Sequence, residues 1–499
     1  MPDRIAALSN RQTPFTGSAR VYQSIAAAIS LTVLAGCQST PATRSNPQNL
    51  LTAQQPVLAI SKTTSSNTEW SDWSARMQPL FADARTLVEA HSGVDLSDVV
   101  LNIANDHSIT AEVSHETERL VDSQFNNQRF AEKFLDSVMS GQKGTYAALY
   151  ATRKGEVMVS QPLMQSYQRS LPNDSRIQES AMLALLIHEL VHAADDKLYR
   201  IHENRDLNFR ASFAQSAAFE GHAQWVTRQI CTQANCLSGL EALDDFMFGR
   251  RNPPNQLTQS VQAISRNVLE YSYVEGERFI ANLAQRPNGA KLINDLLSNP
   301  PQDPIQILDP ASFPNTAREQ RNQQLIAAST NLSHPWLTTP WTSVETSPLK
   351  GVNLRTDPTR RNAAVDGFTR LITSMVAMQL YNQSEPSAAP IELTVIRTES
   401  RETAKLFGKT LHENTRLKGA QLMRADDLVK VSSDPNDAEP AVLYMTNEPS
   451  ENGLNYYTLV GVSGLHVVQL SGLGANESLF VDYIDQLLTK LSSTQNASL

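Results

Sequence analysis

Two histidines and a glutamate, spaced as a metal site requires, carry the clearest chemistry in this sequence. His188, Glu189 and His192 form an H-E-x-x-H motif that directly follows the apolar residues 181–187. On a helix, residues four apart lie on one face, so both imidazole rings can offer a nitrogen to one metal ion. The glutamate projects beside that ion, where it can act as general base on metal-bound water. The motif predicts a zinc-dependent hydrolase; the alternative is a surface helix with two unrelated histidines.

A catalytic zinc ion takes three protein ligands and keeps one position open, so a third ligand must come from elsewhere in the chain. A metzincin would place a histidine six residues after His192, but Leu198 occupies that position, and this class is excluded. Glu220 is the strongest candidate, because it lies on a second predicted helix downstream, which is the gluzincin arrangement. Asp195 or Asp196 would serve only if the metal helix broke.

Further motifs follow the metal motif in a fixed order. An E-G-x-A motif covers residues 220–223, a Tyr-Val-x-Gly segment covers residues 273–276, and a Pro-Pro pair stands at 300–301. Over residues 140–315 the chain therefore resembles a bacterial group of gluzincin metallopeptidases that share an H-E-L-x-H-A motif. The resemblance implies a mainly helical, zincin-like domain that hydrolyses peptide bonds with a zinc cofactor.

The resemblance also implies roles for individual residues. His188, His192 and Glu220 would hold the zinc ion, and Glu189 would be the general base. The sequence departs from the group at two places: His222 stands where an acidic residue is commoner, and Leu-Asp-Pro at 308–310 replaces an expected His-Pro pair. Neither departure changes a proposed ligand.

Four more residues are candidates to assist this site. Tyr273 could donate a hydrogen bond to the developing oxyanion, or simply pack beside the metal helix. His222 lies about 200° around a helix from Glu220, so it reaches the cleft only if the helix is distorted, and otherwise faces away. Gln224 and Asp196 each lie one turn from a proposed ligand, where they could orient it by hydrogen bonds or remain surface groups.

The N-terminus has the pattern of a targeting segment. A basic stretch precedes the short apolar run 25–35, and Leu-Ala-Gly-Cys ends at Cys37. This resembles a bacterial lipobox, so residues 1–36 are predicted to be a lipoprotein signal peptide and Cys37 to carry the lipid. Gln38, rather than Asp, favours the outer membrane under the bacterial sorting rule. An ordinary secretory signal with a chance cysteine is the alternative.

Composition limits the partners and the compartment. The chain has 499 residues and a net charge of −9, which argues against nucleic-acid binding. Residues 37–66 are polar and predict a flexible tether that holds the protein, by its membrane lipid, on the periplasmic side of the cell envelope. Cys231 and Cys236 are the remaining cysteines, and an oxidising periplasm favours a disulfide between them over two separate thiols.

The elements around the metal motif can be outlined from periodicity. Alternating residues predict a hairpin of strands 147–151 and 157–160, whose edge could pair with substrate or be purely structural. The metal helix should begin near Ser175, which fits a capping box with Gln178. Residues 208–230 predict a second long helix, and the proline-rich stretch 303–350 predicts an extended wrap and linker.

The fold class is predicted to be α+β with two domains. Residues 67–345 would form the mainly helical metallopeptidase domain with its small sheet. Residues 352–499 would form a separate α+β domain with an antiparallel sheet, a helix at 361–381 and a closing helix at 479–491. This domain has no catalytic constellation, because His412 and His466 are isolated.

We therefore expect a lipid-anchored zinc metallopeptidase that acts on a peptide or protein substrate. One alternative is a non-enzymatic envelope lipoprotein, whose zincin-like domain is a scaffold and whose C-terminal domain binds an envelope protein partner. Another is hydrolysis of different amide bonds, such as those of cell-wall peptides. The sequence leaves the substrate, the cleavage mode and the oligomeric state open.

Overall fold

The chain combines helices with two β-sheets, as the predicted α+β class requires. The computed structural model describes residues 73–104, 108–115, 118, 146–201, 209–247, 270–302, 306–307, 310, 313–314, 316–330, 341–345, 371–382, 391–416, 421–423, 442–449, 455–473 and 483–491. The predicted signal peptide, Cys37, the tether and residues 308–309 lie outside these ranges. Within the described ranges, no helix is both long and apolar enough to cross a membrane.

The N-terminal part is mainly helical and contains a three-stranded sheet. Its helices are α1 (Trp73–Ser92), α2 (Gln161–Ser170), α3 (Ser175–Tyr199), α4 (Phe209–Ala234), α5 (Leu237–Met247), a π-helix (Glu270–Glu275), α6 (Gly276–Ala284) and α7 (Gly289–Ser298). Its strands are β1 (Val100–Ala104), β2 (Ala148–Ala151) and β3 (Glu156–Ser160). Both α3 and α4 lie where the sequence predicts long helices.

Helix α3 carries the H-E-x-x-H motif through the centre of this part. Its residues 181–194 are buried around almost the whole circumference, and it packs against α1, α4, α5 and β2. A helix that is apolar all round is held by its neighbours on every side. Each fully buried Leu or Ile on it contributes about 1.5–3 kcal/mol of transfer free energy. The motif residues therefore have a rigid support.

The predicted capping box at the start of α3 is wrong. The helix begins at Ser175, but Asp174 is the N-cap, and its carboxylate accepts the backbone N–H of Arg176. The Gln178 amide instead donates to the carbonyl oxygens of Pro172 and Gln168. An aspartate one residue earlier is a strong N-cap residue, so no reciprocal Ser–Gln pair forms.

The predicted hairpin is confirmed as β2 and β3. The strands pair antiparallel around Gly155, which has a φ of +65°, and the sheet order is β1-β3-β2. Strand β2 is therefore an edge. Ser160 N–H donates to Ala147 O, so in this register the backbone groups of Ala148 and Tyr150 point away from β3.

The C-terminal part is built on a larger antiparallel sheet. Its strands are β4 (Trp341–Glu345), β5 (Ile372–Asn382), β6 (Ile391–Thr398), β7 (Gln421–Met423), β8 (Val442–Pro449), β9 (Asn455–Ser463) and β10 (His466–Leu473). Their order is β4-β5-β6-β10-β9-β8-β7. Helices α8 (Thr316–Thr330) and α10 (483–491) share one apolar core with this sheet, and α9 (Arg401–Arg416) shares a second.

Two predictions about this part are corrected. Residues 372–381 were expected to be helical, but they form most of β5, which is paired on both sides by β4 and β6. The stretch 303–350 was expected to be an extended wrap, but it contains α8 and β4, and residues 316–330 have no proline to break a helix. Both elements precede the boundary predicted after residue 345 and nevertheless pack with the C-terminal sheet.

Candidate metal centre

Three side chains from two helices converge on one point. His188 and His192 on α3 place their Nε2 atoms 3.1 Å apart. Glu220 on α4 places Oε2 3.1 Å from the first of these nitrogens and 3.4 Å from the second. Around a tetrahedral zinc ion with bonds of about 2.0–2.1 Å, donor atoms are roughly 3.3 Å apart. The three atoms are therefore spaced to hold one metal ion.

The surroundings of this group favour a cation. His188, His192 and Glu220 are only 5 %, 6 % and 1 % exposed. Burial raises the pKa of Glu220, but the two histidines outweigh burial and bring this pKa to about 2. Burial lowers the pKa of His192, but the Glu220 carboxylate reverses this and raises the pKa to about 9. A buried carboxylate between two imidazoles needs a positive charge to balance it.

The donor set limits the metal without naming it. Two imidazole nitrogens and one carboxylate oxygen suit zinc, and imidazole also suits copper, iron and nickel. Among the residues that the structure describes, this is the single group of three or more His, Cys, Asp or Glu side chains spaced to hold an ion. The buried cluster can therefore bind a metal ion.

Glu189 lies next to the cluster and is held by the edge strand. Its side chain is 3 % exposed, and its Oε2 atom accepts the backbone N–H of Tyr150 at 2.8 Å. Burial raises the pKa of this carboxyl above its usual range, although His188 and His192 act in the opposite direction. A carboxyl with a raised pKa beside a metal site is suited to accept and release a proton.

Tyr273 reaches the cluster from the π-helix. Its ring stacks on His188, with 5.5 Å between centroids and 24° between planes. Burial, followed by the negative charges of Glu220 and Glu189, raises the pKa of this phenol well above 10. The phenol therefore keeps its proton and can donate it in a hydrogen bond. Single π-helical turns occur frequently at functional sites, because they redirect one side chain.

Two glycines explain how the π-helix comes so close to Glu220. A Cβ atom on Gly221 would lie 2.1 Å from the carbonyl carbon of Gly276, and one on Gly276 would lie 2.2 Å from the carbonyl oxygen of Ala217. The backbones of α4 and α6 are thus in direct contact. These glycines belong to the E-G-x-A and Tyr-Val-x-Gly motifs, so the two motifs form one contact.

Tyr146 is a site residue that the sequence did not reveal. It precedes β2 and is partly buried. Burial and the charge of Glu220 raise the pKa of its phenol, and Tyr146 in turn contributes to the raised pKa of Tyr273. Two protonated phenols therefore lie near the ligand group. No motif marks this tyrosine; its place next to the predicted edge strand is the one indication.

His222 does not join the ligand cluster. Helix α4 continues unbroken through residue 221, so His222 points away from Glu220. Its Nδ1–H donates to Asp195 Oδ2 at 2.7 Å, and its ring lies near Trp225. Both residues line a cavity of about 50 Å³, together with His91. Asp195 is therefore a hydrogen-bond partner of His222 and not a ligand.

The other predicted supporting residues also take structural positions. Gln224 donates from Nε2 to Asp244 on α5, which also binds Arg228. This bond directs the Gln224 amide toward α5. Asp196 is buried, and its carbonyl oxygen accepts the N–H of the left-handed residue Arg200 at the end of α3. A disulfide joins the buried Cys231 and Cys236 and so links the end of α4 to α5.

Comparison with known proteins gives no further guide. No protein-family model, no curated protein and no solved structure matches the chain. The resemblance to gluzincins therefore rests on the order of the motifs. The function has to be inferred from the metal centre and its surroundings.

Proposed function

We propose that this protein is a zinc-dependent peptidase. The observation that carries the proposal is the position of Glu189, a buried carboxylate with a raised pKa beside a three-residue ligand group. A purely structural zinc site is closed by four protein ligands and has no use for a general base. Three ligands with an adjacent carboxylate are the arrangement of a hydrolytic site. The scaffold alternative leaves this carboxylate without a role.

The residues present fit a zinc ion. His188, His192 and Glu220 would hold it, and one coordination position would stay open, because no fourth His, Cys, Asp or Glu of the described residues joins the group. When bound, zinc supplies Lewis acidity and lowers the pKa of a coordinated water toward about 7. The buried, mainly apolar support of α3 keeps the two histidines in register for it.

Glu189 would move the proton. The Tyr150 N–H occupies Oε2 and leaves Oε1 available to take a proton from the attacking water. The raised pKa makes the protonated carboxyl a competent acid, which can then protonate the leaving amine. The hydrogen bond from β2 also fixes the direction of the carboxylate, so its role depends on the edge strand.

Tyr273 and Tyr146 would stabilise the developing oxyanion. Both phenols remain protonated at neutral pH, because burial and nearby carboxylates raise their pKa values. A preorganised phenol donor is most effective where the substrate oxygen becomes negative. The stacking of Tyr273 on His188 keeps its ring at the ligand group.

A peptide is the favoured substrate because of the edge strand. The outward backbone groups of Ala148 and Tyr150 can pair with an extended chain by strand addition. A chain bound in this way would run past Glu189, which is bonded to the same strand. The lipobox and tether add the proposal that the enzyme acts in the cell envelope, with the outer membrane favoured.

The deciding experiment is digestion of a peptide library by the purified protein. We expect cleavage that a zinc chelator abolishes and added zinc restores. Glu220→Ala should lose the bound metal in elemental analysis and lose cleavage, whereas Glu241→Ala, an exposed glutamate on α5, should keep both. If no peptide is cleaved by the zinc-loaded protein, the peptidase proposal fails. Full metal retention by Glu220→Ala would mean that another residue is the third ligand.

A further inference from the structure

Three nitrogen-bearing side chains meet at one end of the C-terminal sheet. Arg397 near the end of β6 lies directly opposite His466 at the start of β10. In each strand these residues follow the alternation of the core that includes α8, with Leu393 and Val395 on β6 and Val468 on β10. Both side chains are therefore on the face that α8 covers, at the rim of the sheet.

Arg321 adds a second guanidinium to the same place. It lies on α8 one turn before Leu325, which packs into that core. Residues four apart share a helix face, so Arg321 points toward the sheet. Its charge acts on Arg397, whose pKa is lowered first by burial and then by Arg321. The two arginines are thus close neighbours.

These donors lack acceptors. Arg321 Nε and His466 Nδ1 are both buried without a hydrogen-bond partner, and His466 is only 4 % exposed. Among the described residues, no carboxylate forms an ion pair with any of the three side chains. Burial, and then the charge of Arg397, lowers the pKa of His466 to about 4, so its imidazole is neutral at pH 7. The group therefore carries two positive charges and a neutral N–H donor.

Such a group is unfavourable unless an anion joins it. Two partly buried like charges repel each other, and each buried donor without an acceptor costs about 1–3 kcal/mol. A guanidinium offers a planar fork that matches phosphate and carboxylate oxygens. Two forks and an imidazole supply more donors than a carboxylate can accept, and two charges balance a dianion. We propose that Arg321, Arg397 and His466 form a binding site for a phosphate group, either the free ion or a phosphate monoester.

This site is independent of the proposed peptidase activity. It uses none of the metal-centre residues, and its core shares no residue with the cores around α3. The C-terminal domain would then be a ligand-binding domain for phosphate.

The test is calorimetric titration of the full chain with inorganic phosphate in a buffer free of other oxyanions. We expect saturable binding of one phosphate per chain. Arg321→Gln and Arg397→Gln should each weaken it at least about tenfold, as loss of a charge-assisted fork implies. Arg401→Gln, an exposed arginine at the start of α9, should bind like the parent. Circular dichroism of each variant verifies the fold.

Three further results separate the outcomes. Glycerol phosphate binding with the same arginine dependence would extend the site to monoesters and support the proposal. Absence of saturable phosphate binding, or equally tight binding of acetate, would overturn it. Binding that Glu220→Ala abolishes and both arginine variants retain would place the ion at the metal centre and overturn it as well. If an arginine variant misfolds, the lysine variants Arg321→Lys and Arg397→Lys should bind more weakly than the parent and more tightly than a variant without that charge.

Discussion

At the scale of single residues, Glu189 is the side chain whose chemistry has no structural explanation. It is buried beside two histidines and a second carboxylate, yet it is not one of the three grouped ligands. An apolar or amide side chain of similar size would fill the space at a lower electrostatic cost. Its retention in this position is explained by proton transfer and by the hydrogen bond from Tyr150.

Glu189→Gln tests this role. The amide preserves size but cannot take a proton, so we expect kcat to fall by about 10²–10⁴-fold. The metal content should stay unchanged, because residue 189 is not a ligand. Glu179→Gln on the same helix is the matched control and should leave both quantities unchanged. The measurement is peptide turnover together with elemental analysis; turnover near that of the parent would exclude Glu189 as the base.

Individual site residues differed in how far the sequence could predict them. The ligand pair follows from helix periodicity, and the direction of His222 follows from the same geometry, since two residues turn the helix by about 200°. The partner of His222 could not be predicted, because Asp195 lies on another helix. Tyr146 has no sequence motif and is recognised only through its effect on Tyr273.

At the scale of elements, the approach of α4 to α6 determines where Tyr273 lies. The two helices touch at Gly221 and Gly276, with no room for a side-chain carbon at either position. A contact of this kind requires two small residues that are far apart in sequence. It is therefore visible as two separate motifs in the sequence and as one interface in the structure.

Gly276→Ala should disrupt this interface. The new Cβ would meet the carbonyl oxygen of Ala217 at 2.2 Å, so backbone must shift. We expect a loss of about 1–3 kcal/mol in the free energy of unfolding, the range for overpacked cores, and a reduced kcat as Tyr273 is displaced. Gly155→Asn is the control, because the hairpin turn has nothing within 4 Å and Asn tolerates its positive φ. Denaturant unfolding measures the loss, and an unchanged midpoint for Gly276→Ala would contradict it.

The C-terminal sheet should respond to acid through His466. Its pKa is about 4 in the folded protein and about 6.5 in the unfolded chain. Between these values the unfolded chain binds a proton that the folded protein does not, so stability falls as the pH drops from about 6.5 to about 4, by up to about 1.4 kcal/mol per pH unit. Above about pH 6.5 this group makes no contribution to the pH dependence.

His466→Gln should flatten that pH dependence. Glutamine has no titrating group, so the difference in unfolding free energy between pH 7 and pH 5 should shrink relative to the parent. Denaturant midpoints in phosphate-free buffer provide the measurement. Another exposed or partly exposed histidine, such as His91 in the N-terminal part, serves as the comparison, since His91→Gln should leave the C-terminal transition unchanged. Equal slopes for the parent and His466→Gln would rule out His466 as the acid-sensitive group.

At the scale of the whole molecule, the apolar cores fall into two sets. The cores around α3 and the π-helix contain residues 77–313, and the cores of the large sheet contain residues 325–491. The sequence could predict two domains from the change in pattern, but not that α8 and β4 join the second. Their membership depends on long-range packing and on pairing with β5, which local periodicity does not encode.

These separate cores predict two heat-induced transitions with different ligand responses. A metal bound at 100 times its Kd stabilises its own cores by about 2.7 kcal/mol, so a chelator should lower one midpoint by roughly 5–10 °C. Phosphate should raise the other midpoint through Arg321 and Arg397. Scanning calorimetry measures both, with Glu220→Ala as the control that is insensitive to chelator. A single transition that shifts with either treatment would mean that the two sets of cores unfold as one unit, and a chelator effect on the transition that responds to phosphate would contradict the separation of the two sites.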